Sequence, residues 1–112
     1  MAHAQLDDLF PDHAKVAGLT DPAFRLHVCG IVYCARNLTD GLIPNDDIPR
    51  LVRRFKKTSL TELVDRNLWS SVLGGAYAIH DYLDWNPSRD EVRRRRELAA
   101  KRQSAWRAGH RE

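Results

Sequence analysis

Apolar residues recur along this chain at two spacings, and each change of spacing marks an element. Pro11 opens a short helix through His13, Ala14, Val16 and Ala17, ended at Gly18, with Phe10 ahead of it as an anchor. Thr20 or Asp21 caps a longer helix that has Pro22 in its first turn. Phe24, Val28, Ile31, Val32, Ala35 and Leu38 lay a 3.6-residue stripe along it, widened by Leu26, Cys29 and Tyr33. This helix is expected to be central and covered on most sides. Thr39-Asp40-Gly41 ends it, and Leu42-Ile43-Pro44 reads as a short extended segment that proline confines to a sheet edge.

The stretch from Asp46 to His80 organises the rest. Asp46 or Asp47 caps a helix with Pro49 in its first turn, and Ile48, Leu51, Val52 and Phe55 form the i, i+3, i+4, i+7 set of one buried face. Arg50, Arg53, Arg54 and Lys57 fall on the opposite side as a basic ridge, with Lys56 on its flank. A second helix opens at Ser59, whose hydroxyl caps it while Glu62 reaches back to the cap amide. It buries Leu60, Leu63, Val64 and Leu68 and exposes Thr61, Glu62, Asp65, Arg66 and Asn67. Segments 69–73 and 76–80 then flank Gly74-Gly75, a two-residue turn of the type I′ kind that needs positive φ. Two short helices, a tight turn and a hairpin make the pattern of a winged helix-turn-helix, with Leu42-Ile43-Pro44 as the edge strand beside the wing.

Past the hairpin, residues 81–87 are aromatic and turn-like, and Tyr82 and Trp85 are expected to pack back on the core. Ser88 caps a last helix from Arg89 to about Arg107, of helix-favouring composition and without proline. Only Val92, Leu98, Ala99, Ala105 and Trp106 are apolar in it, too few for a sustained heptad seam. The expected organisation is a flexible N-terminus (1–9), a mainly α domain with a small β-hairpin wing (10–87) and a basic C-terminal helix or arm (88–112).

At 112 residues, 43% hydrophobic and 29% charged, the chain is one ordinary domain with a modest core. No apolar run reaches the length of a membrane span and the first residues lack the regions of a secretory signal, so a cytoplasmic protein is expected. Cys29 and Cys34 lie five apart in one helix and point in different directions, which suits two reduced thiols. The net charge of +3 is unevenly spread. Before Ser88 there are nine Lys and Arg against eleven Asp and Glu; from Ser88 onward there are nine against four. The tail supplies all of the excess, as an arm that meets a polyanion would.

Five blocks now combine: Phe-Pro-Asp-His-Ala-Lys-Val (10–16), Ala-Phe-Arg-Leu-His-Val (23–28), Cys-Ala-Arg-Asn-Leu-Thr-Asp-Gly (34–41), Leu-Val-Asp-Arg-Asn-Leu-Trp (63–69) and Ile-His-Asp-Tyr-Leu-Asp-Trp-Asn-Pro-Ser-Arg (79–89). Over residues 10 to 90 the chain resembles a group of actinobacterial and actinophage winged-helix proteins. They are described as helix-turn-helix DNA-binding proteins or as replication-initiation proteins of the replisome-organiser kind. The resemblance implies a winged-helix fold and DNA binding. Longer members of the replication type carry a further C-terminal domain, whereas this chain stops at Glu112, so helicase loading by this chain alone is not expected.

The basic cluster Arg50, Arg53, Arg54, Lys56 and Lys57 is five cations in eight residues with no acid among them, a pattern suited to positioning on phosphates. Ser59, Thr61, Arg66 and Asn67 are the polar groups the second helix offers to a groove, although Glu62 and Asp65 beside them repel phosphate. Arg93, Arg94, Arg95, Arg96, Lys101 and Arg102, with Arg107 and Arg111, would track a neighbouring backbone or enter a minor groove, beside the wing at one end of the domain. The bland reading of each set is a solvated face. His13, His27 and His80 have no ligand spacing to one another or to the cysteines, and no phosphate-cradling loop is present, so neither a cofactor, a metal nor catalysis is expected. The expected partner is double-stranded DNA, in replication initiation or transcriptional control, with a homodimer as a secondary expectation. The competing expectation is a protein-interaction adaptor that meets a replisome or transcription component through Trp69, Tyr82, Trp85 or the final helix.

Overall fold

The computed structural model describes residues 4–6, 9–80, 82–85 and 88–109, with 84, 85 and 108 described by backbone alone. A 3₁₀ turn, Phe10–Asp12, leads into α1 (Ala14–Ala17) and α2 (Asp21–Asn37). Then come β1 (Leu42–Pro44), a second 3₁₀ segment (Asn45–Arg50), α3 (Lys57–Asp65), the hairpin β2 (Trp69–Val72) and β3 (Ala76–Ile79), α4 (Tyr82–Trp85) and α5 (Arg89–Gly109). The molecule is mainly helical with one antiparallel sheet of order β1-β3-β2. The proline-stopped segment is indeed an edge strand: Ile43 pairs with Tyr77 and Pro44 with Ala76.

One buried cluster holds these pieces together. Trp69 (1% exposed) lies at its centre with Leu26, Ile43, Ile48, Leu63 and Ile79. Gly30 of α2 lets the indole approach, since a Cβ there would stand 2.5 Å from Trp69 Cζ2. The core side of α2 is Ala23, Leu26, His27, Gly30, Ile31, Cys34 and Ala35. That face is rotated from the expected stripe: Val32 is exposed, and His27 is buried because it is the hydrogen-bond partner of the central tryptophan.

Four local expectations are corrected. Apart from Lys57 at the start of α3, the basic ridge does not ride on an α-helix. Asp47 accepts a hydrogen bond from Tyr33 Oη at 2.7 Å instead of capping, which pushes the Tyr33 hydroxyl up to about 12. Without that cap, and with Pro49 lacking an N–H, residues 45–50 wind as 3₁₀ and residues 51–56 turn away, while Ile48, Leu51, Val52 and Phe55 still face the core. α3 starts at Lys57, so Ser59 is buried inside it and caps nothing. α3 also ends before Arg66 and Asn67. Asn67 takes the left-handed conformation, which asparagine tolerates, and Leu68 N–H closes the turn on the Leu63 carbonyl.

The hairpin loop is the fourth. Val72 pairs with Ala76, so the loop is Leu73-Gly74-Gly75 rather than the two glycines alone, and both glycines have positive φ. Leu73 projects fully into solvent at its tip.

The final helix is rooted as expected at Ser88, which accepts from Glu91 N–H at 3.2 Å, and additionally by Asp40, which accepts from Arg89 N–H at 2.6 Å. Val92 is its buried contact with the body. That root lies beside Gly41, whose carbonyl accepts from Ile79 N–H, whereas the hairpin loop meets Asn45 at the other end of β1. Hairpin loop and tail therefore do not spring from one end of the domain. Beyond Val92 the helix extends the molecule, whose principal extents are 63 × 32 × 24 Å. No described helix is long and apolar enough to cross a membrane.

Candidate nucleic-acid interface

The loop from Val52 to Lys56 leaves the core through the half-buried Val52 and Phe55, and this forces the residues between and after them outward. Arg53, Arg54 and Lys56 are exposed for that reason. They line a groove of about 510 Å³ whose opposite wall is the first turns of α2, with Asp21, Pro22, Arg25 and Leu26. Arg25 stands outside the basic cluster of the sequence, being an isolated cation twenty-eight residues before Arg53. Only the packing of α2 on α3 and its preceding loop brings it there; no spacing rule would find it.

Arg50 and Lys57 are exposed at either end of this loop, Arg50 closing the 3₁₀ segment and Lys57 opening α3. Neither lines the groove itself. The exposed side of α3 is Lys57, Thr58, Thr61 and Asp65. Thr61 Oγ1 donates to the Lys57 carbonyl at 3.1 Å, a local bond along the same helix. The structure withdraws the other polar groups assigned to that surface. Ser59 is buried. Arg66 lays its guanidinium against Gly18, where an added Cβ would collide with Nη1. Asn67 has left the helix; its backbone carbonyl bonds to His80 Nδ1, and the residue is exposed.

Glu62 has a different task from the one its spacing implied. It accepts from Thr20 N–H at 2.8 Å and from Thr20 Oγ1 at 2.9 Å, so a carboxylate from α3 caps the N-terminus of α2. A negative group there meets the unpaired amides and the positive end of the helix dipole. It also clamps together the two elements that form the groove. Glu62→Ala is expected to lower stability by about 1 kcal/mol, read as a lower urea midpoint at unchanged m-value; an unchanged midpoint would mean that the clamp contributes nothing to stability.

The tail cations Arg93, Arg94, Arg95, Arg96, Lys101, Arg102 and Arg107 are all exposed on α5, and Arg111 lies outside the described residues. α2 separates the two basic regions, since the groove is at its start and the root of α5 follows its end; its 17 residues span about 25 Å. The hairpin, from Trp69 to Ile79, carries no charged side chain.

The candidates for other chemistry are engaged in structure. Cys34 is buried, its Sγ donates to the Leu42 carbonyl at 3.8 Å, and burial pushes its thiol up to about 11. Cys29 is a half-buried free thiol. Trp69 and Tyr82 are both buried, which corrects the expectation that they meet a partner; for Tyr82, burial raises the hydroxyl to about 12. The Trp85 side chain, Asp81 and the Asp84 carboxylate lie outside what is described. Among the described residues no group of three or more His, Cys, Asp or Glu is placed to hold a metal ion. No family model, curated protein or solved structure matches this chain.

Proposed function

We propose that this chain is a winged-helix module that binds duplex DNA without catalysing a reaction on it. The observation that carries the reading is the groove in which Arg25, Arg53, Arg54 and Lys56 converge from two elements. A phosphate backbone is the polyanion whose spacing rewards such a line of cations, and guanidinium groups match phosphate oxygens with paired N–H donors. The order of elements supports the fold reading: α2, the edge strand β1, the 3₁₀ segment, α3 and the hairpin follow the winged-helix sequence, with β3 between β1 and β2. With Ser59 buried and Arg66 and Asn67 beyond the end of α3, that helix offers few groups to read bases, so phosphate contact dominates over sequence readout. The resemblance to actinophage proteins points such a module toward replication initiation or transcriptional control.

The exposed cations of α5 add a second phosphate-contacting region, distinct from the groove. Replacing Arg93, Arg94, Arg95 and Arg96 by Gln is expected to weaken binding to all duplexes alike and to flatten the salt dependence by about 0.9 for every phosphate left without its arginine. Filter binding on two unrelated duplexes reads both effects. A weakening confined to one of them contradicts the positioning role.

The adaptor reading rests on one observation, the exposure of Leu98 and Trp106 on α5, outside the core that has absorbed Trp69 and Tyr82. Under it, duplex affinity is insensitive to the groove cations.

A further inference from the structure

A second cavity, on the side of α2 away from the basic groove, has no part in that function. It holds about 100 Å³ and has walls of Phe10, Val16, Ile31, Leu68 and Ile79, with His27 as its buried polar member. An apolar cavity of about 150 Å³ accommodates one benzene ring, and this one also opens to solvent, so one ring is its scale.

His27 determines what that ring must carry. Trp69 Nε1–H donates to His27 Nδ1 at 2.9 Å, which leaves Nδ1 without a proton and places the hydrogen of the neutral imidazole on Nε2. The indole is not part of the cavity wall whereas the imidazole is, so the edge turned from Trp69 is the one that meets the cavity. His27 is 4% exposed, and its Nε2–H is the donor that its ring brings to this apolar wall. A ligand that supplies an acceptor there keeps that donor satisfied, whereas one that supplies none covers it at a cost. Phe10 stacks on the imidazole with ring centroids 5.7 Å apart and planes at 23°, which gives the cavity flat aromatic walls. Among the described residues no carboxylate lines the cavity. Desolvation keeps the imidazole neutral, so the buried polar member of the wall offers a donor without a charge, whereas Lys15, which also lines the cavity, is exposed to solvent.

We propose that this cavity binds a small, flat, uncharged molecule of one-ring size whose oxygen accepts a hydrogen bond from His27 Nε2–H, the chemistry of a phenol. The proposal is independent of DNA binding.

The test is a titration of the ¹⁵N-labelled full chain with phenol, benzene and benzoate at neutral pH, following the Trp69 indole N–H and the His27 ring nitrogens. Phenol is expected to shift both saturably, with benzene about tenfold weaker for want of one hydrogen bond. Val16→Phe, which fills the cavity from α1, is expected to reduce phenol binding by about the same factor while the remaining spectrum stays dispersed. Absence of a saturable phenol shift at any concentration that leaves the chain folded overturns the proposal. Equal binding of benzene and phenol overturns the role of His27, and tighter binding of benzoate overturns the assignment to a neutral ligand. Should the variant unfold, the order of the three probes on the unaltered chain decides.

Discussion

Reversing two neighbouring charges, Arg53→Glu with Arg54→Glu, is expected to lower duplex affinity by about 100-fold or more. Each arginine that bonds to phosphate contributes a charge-assisted interaction of about 1.5–3 kcal/mol, and two together correspond to at least two decades in Kd. The slope of log Kobs against log salt should fall by about 1.8 in the same variant, 0.9 for each of the two phosphates no longer neutralised. Both side chains are exposed, and exposed substitutions rarely alter stability by more than about 0.5 kcal/mol, so the fold should survive. Arg36→Glu is the matching control, because Arg36 is exposed near the far end of α2 and does not line the groove. Anisotropy titrations of the three proteins on one labelled duplex make the comparison. Equal affinities of the double variant and the unaltered chain would remove the groove from the binding site.

The second large effect is a loss of stability in mild acid. Burial lowers His27 from 6.5 to about 4, while in the unfolded chain it titrates near its ordinary value. Between those two values the unfolded chain binds a proton that the native protein does not, so stability falls as pH falls. The contribution is complete above pH 6.5 and is lost progressively down to pH 4. At ~1.4 kcal/mol per pH unit the whole change is about 3 kcal/mol. Carboxylates also titrate near the lower limit, so the diagnostic quantity is a difference. His27→Gln keeps an acceptor for the indole N–H but has no proton to bind, and urea midpoints measured for both proteins between about pH 7 and pH 4 should diverge, the variant showing the shallower decline. Parallel profiles would mean that His27 does not titrate in this window.

The His27–Trp69 pair also shows how far the chain can be read without its structure. Periodicity locates the second helix of the chain within a residue or two at each end, because Thr20-Asp21-Pro22 and Thr39-Asp40-Gly41 punctuate it unambiguously. It misplaces the buried face, since a histidine scores as polar until the tryptophan forty-two residues later supplies its hydrogen bond. The edge strand and the hairpin are legible from proline and paired glycines, whose effects are local. Capping is not. Asp47, Ser59 and Glu62 each stand at a good capping distance in sequence, yet Tyr33 claims the first, the core claims the second and Thr20 claims the third. A side chain that can bond locally will bond remotely when a better-placed donor folds against it, and such donors are invisible to spacing.

The same reason governs the candidate site. Arg53, Arg54 and Lys56 are legible as a cluster because charge density is a property of the sequence. Their arrangement on a loop is not, nor is the addition of Arg25, because both follow from how α2 and α3 pack. Periodicity carries the helix on through Arg66 and Asn67, but the left-handed turn at Asn67 interrupts it.

Whether the chain binds duplex DNA is tested most directly by anisotropy of the full chain on a labelled random-sequence duplex and on the corresponding single strand, over a salt series. Saturable duplex binding is expected, its log Kobs falling with log salt at a slope steeper than about −3, the share of four groove cations at roughly 0.9 each. An absence of binding to either DNA at low salt would contradict DNA binding altogether, and would leave the exposed Leu98 and Trp106 of α5 as the place to look for a protein partner.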